Sequence, residues 1–410
     1  MILDIGPLRR DAAFRRLFAS QFISGIGTMV SYVAVPWQLY QLTHSNAQVG
    51  LLGLVQLVPV LLCGLLGGAV ADRVDRRRLL IGSEALMALC VTGLLVNAWN
   101  APSTLAIYGL VAVLQGASGF HRPALEALTQ KLARPEEYAA VASLSSVRGT
   151  VGMVGGPALA GLLLARWGAV GAYLFDVTTF IAALFFLARI PRARIAPVTA
   201  PAERPHLVAD LVEGLRFAWA RPELMGTYIV DIVAMAFAFP LALFPAMAAA
   251  DGRTEAVGWL LSAMSAGALV IGLFSGWTGR VRRHGRAVVL AAAVWALGIV
   301  ALGFAPGLVA ALLCLAIAGA ADMVSGVFRG TIWNETIPNA LRGRLAGIEM
   351  ISYLTGPLVG NARAGFMADA VGVSAAIWMG GLVCLAAVVA TGFALPRFWA
   401  YRSTANASAS

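Results

Sequence analysis

The stretch Gly67-Gly68-Ala69-Val70-Ala71-Asp72-Arg73-Val74-Asp75-Arg76-Arg77-Arg78 decides how this chain is read. An apolar run over positions 47–71 ends in it, and another begins at position 79. Between them stand two acids and four arginines. A run long enough to cross a hydrocarbon layer stops at a knot of charge and resumes at once. The physical reading is a chain that leaves a bilayer, turns in water and re-enters.

Working outward, the same rhythm covers the sequence. Residues are 60% hydrophobic and 12% charged, and mean hydropathy is +0.81; a soluble domain has about a quarter of its residues charged. Twelve windows are long enough to span, at about 17–41, 47–71, 79–98, 103–129, 138–165, 168–189, 222–249, 255–279, 287–305, 307–336, 344–369 and 373–395. The runs are continuous and do not alternate, so they predict helices and not strands of a barrel. With the amino terminus placed inside, 24 of the 30 Lys and Arg residues fall in the inner connections and only Arg166 and Arg253 in the outer ones. That asymmetry puts both termini in the cytoplasm. The net charge of +10 therefore reports topology and not nucleic-acid binding. Trp37, Trp99, Trp167, Trp259 and Trp378 fall near predicted outer ends and Trp219, Trp277, Trp333 and Trp399 near inner ends, as interfacial aromatics do. Arg9-Arg10 before an apolar run imitates an export signal, but that run is too long for one, and it reads as an uncleaved first helix.

The longest polar interruption, from Pro191 to Arg221, divides the chain into a six-helix bundle over 1–190, a cytoplasmic linker over 191–221, a second bundle over 222–396 and a tail over 397–410. Val208, Leu211, Val212, Leu215 and Trp219 against Asp210, Glu213 and Arg216 predict an amphipathic helix on the inner membrane surface within that linker. The halves repeat. Arg73-Val74 matches Arg280-Val281, Ser118-Gly119 with Arg122 matches Ser325-Gly326 with Arg329, both at an offset of 207, and Gly156-Pro157 matches Gly356-Pro357 at 200. Such duplicated halves place a substrate site near the midplane between them.

Residues 67–78 resemble the signature between the second and third helices of the major facilitator superfamily, glycine, then Asp-Arg, then Arg-Arg, here Gly68, Asp72, Arg73, Arg76 and Arg77. The resemblance covers nearly the whole chain. It implies an all-α membrane protein of twelve transmembrane helices in two pseudo-symmetric bundles, and makes those five residues a conformational gate. The second-half copy, Gly279 to Arg286, lacks the aspartate. Gly152, Gly156, Pro157 and Gly161 in the fifth helix resemble the family's exporter motif, in which small residues allow close packing and proline bends the helix. A third family motif is incomplete, since Gln115-Gly116 is present but its arginine position is Ala112. Phe14-Arg15, Ala34-Val35-Pro36, Thr43-His44-Ser45, Gln48-Val49-Gly50-Leu51 and Leu341-Arg342-Gly343-Arg344 resemble siderophore exporters and related macrolide-efflux proteins. The expectation is a proton-exchanging exporter of a small amphipathic molecule in a bacterial cytoplasmic membrane, working as a monomer. Macrolide or multidrug efflux is the alternative, and an importer or a membrane enzyme a more distant one.

Ionisable groups in spans cost about 2.5–3.5 kcal/mol each on insertion scales, so they are functional candidates. They are Arg148, Asp176, Asp231, Asp322, Arg329, Glu349 and Arg363. Asp322 lies midway along its window and corresponds to Gln115 in the first half, which suits an asymmetric proton coupler; a structural pair with Arg148 or Arg363 is the other reading. Asp322 and Arg329 share a helix face but, seven residues apart, are expected too far for direct pairing. Arg122 and Glu126 are expected to satisfy each other, and Glu84 and Glu255 to be interfacial. A polar stripe on the first helix, Gln21, Ser24, Thr28, Ser31 and Gln38, faces either a cavity or a neighbouring helix; Gln21, Ser24, Thr28, Ser31 and Gln115 are candidate cavity residues. The four histidines and four cysteines share no ligand spacing and no phosphate loop occurs, so neither a cofactor, a metal nor ATP hydrolysis is expected.

Overall fold

A computed structural model describes residues 4–71, 74–100, 102–191, 207–338 and 341–403. Every regular element among them is helical: α1 Gly6–Arg10, α2 Ala12–Thr43, α3 Asn46–Ala71, α4 Arg76–Trp99, α5 Thr104–Leu132, α6 Tyr138–Ala188, α7 Leu207–Trp219, α8 Pro222–Ala238, α9 Phe244–Asp251, α10 Ala256–Leu273, α11 His284–Gly303, α12 Leu308–Thr336, α13 Arg342–Val371, α14 Val373–Ala394 and α15 Pro396–Trp399. Ten stretches are long and apolar enough to cross a bilayer, judged by length and composition. One of them, ending at Ala188, holds two spans, because Gly168 at φ 64° breaks α6. The 30 residues of α13 add another, which brings the count to the twelve expected.

Local chemistry sets the boundaries. Asp11 caps α2 by accepting from the Ala13 and Phe14 amides at 2.7 and 3.3 Å. Asp75, inside the charged stretch that opened the sequence, caps α4 through Arg77 and Arg78 at 2.9 and 3.0 Å. Gly252 and Gly372 take the positive φ that ends α9 and separates α13 from α14. The seventh span is interrupted. α8 stops at Ala238, Pro240 denies the helix a donor, and α9 resumes at Phe244.

Two compact units result. Unit 1 comprises Met1–His44, Val55–Pro205 and Arg253–Ser262; unit 2 comprises Ser45–Leu54, His206–Gly252 and Ala263–Ser410. The first residues of α3 thus belong with unit 2 and those of α10 with unit 1. In unit 1, Phe14, Leu17, Leu80, Leu128, Leu144 and Leu187 form a buried cluster that ties α2, α4, α5 and α6 together. In unit 2, Trp295, Phe244, Phe328 and Phe398 are the largest buried side chains. The outer surface is apolar, with Leu105 79%, Leu313 61% and Phe393 81% exposed, as lipid contact requires. Trp99, Trp167 and Trp219 are exposed as an interfacial belt predicts, but Trp37 is buried in unit 1 and is a packing residue.

Candidate functional site

The densest charge lies inside unit 2. Asp231 projects from α8, Asp322 and Arg329 from α12, and Glu349 and Ser352 from α13. Arg329 forms an ion pair with Asp231, and its other terminal nitrogen lies 3.6 Å from Asp322 Oδ1. This corrects the expectation that the two α12 residues cannot pair. They stand about 10.5 Å apart along the axis at 1.5 Å per residue, and a long guanidinium side chain leaning back along the helix covers the difference. Ser352 donates to Asp231 Oδ2 at 3.3 Å. Glu349 feels the charge of both Arg329 and Asp231. A small cavity beside the cluster is lined by Asp231, Asp322, Ser325, Arg329 and Trp295, whose indole N–H has no acceptor among the described residues. Three carboxyl groups thus share one guanidinium. Asp231 is locked against it, whereas the Asp322 side chain is 41% exposed. One guanidinium balances one ionised carboxyl, so the number of ionised acids sets the net charge of the cluster.

Arg363 does not join this cluster. Its guanidinium donates to the carbonyls of Ala236 and Phe237 at 3.1 and 2.7 Å, the acceptors that the break after α8 leaves open. Asn361 Oδ1, two residues earlier on α13, accepts from the Ala242 amide at 3.1 Å. α13 therefore props the broken span. Arg148, half-buried on α6, has no ion-pair partner among the described residues.

In unit 1 the polar stripe of α2 faces neighbouring helices. Gln21 donates to Glu84 of α4 at 3.3 Å, Ser31 donates to Asp176 of α6, and Gln38 accepts from the Tyr173 hydroxyl at 2.8 Å. Ser24 faces the same carboxyl as Gln21. Gln21, Ser24 and Ser31 are buried, and Thr28 and Gln115 are half-buried. Thr179 also donates to Asp176, at 3.1 Å. Glu84 is not interfacial: only 1% of its side chain is exposed, and it pairs with His121 of α5. Sequence reasoning passed over this dyad because its members sit on separate helices, with no spacing to betray them. Arg122 and Glu126, one turn apart, do pair, at 3.4 Å on the exposed side of α5.

Of the charged signature, Gly68 lies in α3, and Asp72 and Arg73 fall outside the described residues. Arg76 opens α4. Arg77 is buried and donates to the carbonyls of Leu187 and Ala188 at 3.4 and 2.8 Å, closing the last turn of α6. The exporter motif is a contact surface. A Cβ on Gly156 would strike the Met29 side chain, and one on Gly161 would lie 2.5 Å from the Glu255 carbonyl; Gly152 faces open space. In return, a Cβ on Gly258 of α10 would strike the Pro157 carbonyl and lie 2.8 Å from the Gly161 nitrogen. Unit 2 repeats the device: a Cβ on Gly50 of α3 would lie 2.7 Å from the Asn361 carbonyl and 3.0 Å from Gly365 Cα of α13. Beside it Asp369 accepts from Ser45 Oγ and the Asn46 and Ala47 amides at 2.6, 2.9 and 3.1 Å, capping α3.

Membrane-spanning helices, an interrupted seventh span and buried intramembrane charge on facing helices define a multi-pass transporter. The sequence profile described as transmembrane secretion effector, a branch of the major facilitator superfamily, matches residues 4–408, and the chain belongs to that family. The enterobactin exporter EntS of Shigella flexneri is 31% identical over 368 residues, which is 89% of this chain and 87% of that protein. EntS of Escherichia coli O81 (strain ED1a) is 31% identical over 369 residues, with the same shares covered. Among solved structures, the nucleoside transporter NupG aligns over 95% of this chain and 99% of its own at a TM-score of 0.75 and 14% identity. A bacterial homologue of the human lysosomal transporter Spinster covers 97% of each chain at 0.72 and 16%. These two likenesses concern the fold alone.

Proposed function

We propose that this chain exports a catecholate siderophore of the enterobactin kind across the cytoplasmic membrane in exchange for protons, as a monomer with both termini in the cytoplasm. The observation that carries this reading is the 31% identity to enterobactin exporters over 89% of the chain. The basic residues gathered in the inner connections support the orientation. The exporter-motif glycines Gly156 and Gly161, which both make close contacts, support efflux. The acid cluster supports proton exchange: three carboxyl groups around Arg329 can ionise one at a time, and Asp322 is the one open to protons. The charged signature, Gly68 with Asp72, Arg73, Arg76 and Arg77, acts as the conformational gate, a role that fits Arg77 closing the last turn of α6.

The test is efflux from a bacterial host lacking its own siderophore and drug exporters, with enterobactin and a macrolide compared side by side. Enterobactin secretion restored by this chain is the expected result. Macrolide resistance without enterobactin secretion overturns the substrate, and inward accumulation overturns the direction. Asp322→Asn is expected to weaken proton-driven efflux while leaving the protein in the membrane; an unchanged pH dependence would make Asp322 structural.

A further inference from the structure

A second buried titratable site lies in unit 1, and the acid cluster of unit 2 does not include it. Glu84 of α4 and His121 of α5 are in direct contact, with side chains 1% and 13% exposed. They are deep in their spans: Glu84 lies about 12 Å along α4 from Arg76, and His121 about 16 Å along α5 from Leu132, at 1.5 Å per residue. Their surroundings are neutral or acidic. From α2 come Gln21, which donates to Glu84 Oε2 at 3.3 Å, and Ser24. From α6 comes Asp176, whose charge acts on Glu84's neighbourhood and is itself bonded by Ser31 and Thr179. From α3 comes Cys63, packed on Gly119 two residues before His121. On α5, Arg122 and Glu126 neutralise each other at the exposed side. Glu84 Oε1 accepts no hydrogen bond among the described residues.

The charge accounting allows few states. With one proton between them, Glu84 and His121 are either a carboxylate with an imidazolium or a carboxylic acid with a neutral ring, and the pair is neutral both ways. With that proton removed, a lone carboxylate is left in the span with Asp176 nearby and no cation facing it among the described residues, which is a costly state. That proton therefore leaves only with a rearrangement that changes the pair's surroundings. Glu84 Oε1 is itself buried, and it is the imidazole, 13% exposed, that gives that proton a way in and out.

We propose that Glu84 and His121 are a second proton-binding site, in unit 1, which exchanges its proton in the same transport cycle as the acid cluster of unit 2. This rests on the proton-exchange reading above and adds to it a stoichiometry of two, with one proton held in each unit.

The test uses the full-length purified protein in liposomes, with enterobactin as the probe and the membrane potential clamped at zero by potassium and valinomycin. The quantity measured is the pH difference that holds a tenfold enterobactin gradient without net flow. A carrier that exchanges two protons holds it at about half a pH unit, and one that exchanges a single proton needs about a full unit. Enterobactin counterflow at equal pH reports whether each variant still carries substrate. The expected result is about half a unit for the natural chain and about one unit for Glu84→Gln and for His121→Asn, both with counterflow preserved. A variant with preserved counterflow and an unchanged balance point overturns the proposal, and so does loss of counterflow in both variants, which would make the pair a packing element. A natural chain whose balance ignores the pH difference defeats the proton-exchange reading itself, a separate outcome. Asp322→Asn combined with His121→Asn is expected to remove the dependence on pH altogether.

Discussion

Replacing Arg329 with glutamine removes the only cation described within the unit 2 acid cluster and leaves Asp231, Asp322 and Glu349 facing one another. Asp231 suffers most. It is buried, paired directly with the guanidinium, and left with Ser352 as its one described donor. Breaking a buried pair by deleting one partner costs about 3–5 kcal/mol. Asp322 adds little to that figure, because it lies 3.6 Å from Arg329 and is 41% exposed. At about 2–4 °C per kcal/mol for a unit of this size, the melting temperature should fall by on the order of 10 °C. The assay is thermal unfolding of the detergent-purified protein. Adding Asp231→Asn to Arg329→Gln should recover most of the loss, whereas adding Asp322→Asn should recover little. Equal recovery from both aspartates would refute the assignment of Asp231 as the locked partner.

Two other expectations follow from contacts away from the charges. Gly258→Ala places a Cβ against the Pro157 carbonyl and 2.8 Å from the Gly161 nitrogen, so the two helices must part; efflux should drop at least tenfold with normal membrane levels, whereas Gly276→Ala, with nothing within 4 Å, should be neutral. Tyr401 donates to Glu335 Oε2 at 2.8 Å, and the Ser403 amide donates to the Arg282 carbonyl at 3.1 Å. Burial, with Glu335 beside it, pushes the Tyr401 phenol well above its ordinary range, so it stays a donor at any working pH. Glu335→Ala should loosen this segment by about 1–3 kcal/mol, seen as faster proteolysis near the carboxyl terminus; an unchanged cleavage rate would show that Phe398, buried against Gly226, anchors the segment alone.

The spans were legible because membrane helices announce themselves through length and apolarity, and each of the twelve windows has its helical counterpart. Even the joined fifth and sixth spans were separable, since Arg166-Trp167-Gly168 interrupts the run where the backbone leaves helical geometry at Gly168. The partners of the charges were not legible. Helical spacing predicts neighbours on one helix, as for Arg122 and Glu126, but says nothing of what lies across from them. Glu84 and His121 are 37 positions apart and meet only because α4 packs on α5. Asp369 and Ser45 meet across 324 positions. The same limit hid the α12 pair in a different way: counting axial rise from Cα to Cα ignored the reach and backward lean of an arginine side chain.

The repeat gives these differences a meaning. At the offset of 207, Arg122 corresponds to Arg329, His121 to Phe328 and Gln115 to Asp322. In unit 1 the arginine points outward to Glu126 and the buried titratable position is the preceding one, His121 against Glu84. In unit 2 the preceding position is Phe328, fully buried, and the arginine itself turns inward to Asp231 and Asp322. One turn of the same duplicated helix thus carries a buried titratable group in both units, built from different chemistry: an imidazole with one acid, and a guanidinium with three. Packing alone does not ask for this, since two apolar turns would pack as well without the cost of buried charge. An imidazole and a guanidinium also differ in one respect that matters for transport. His121 can surrender its own proton, whereas Arg329 cannot and must leave the titration to its acids. A carrier built in this way has one such group in each unit, which is what the proposed stoichiometry of two requires.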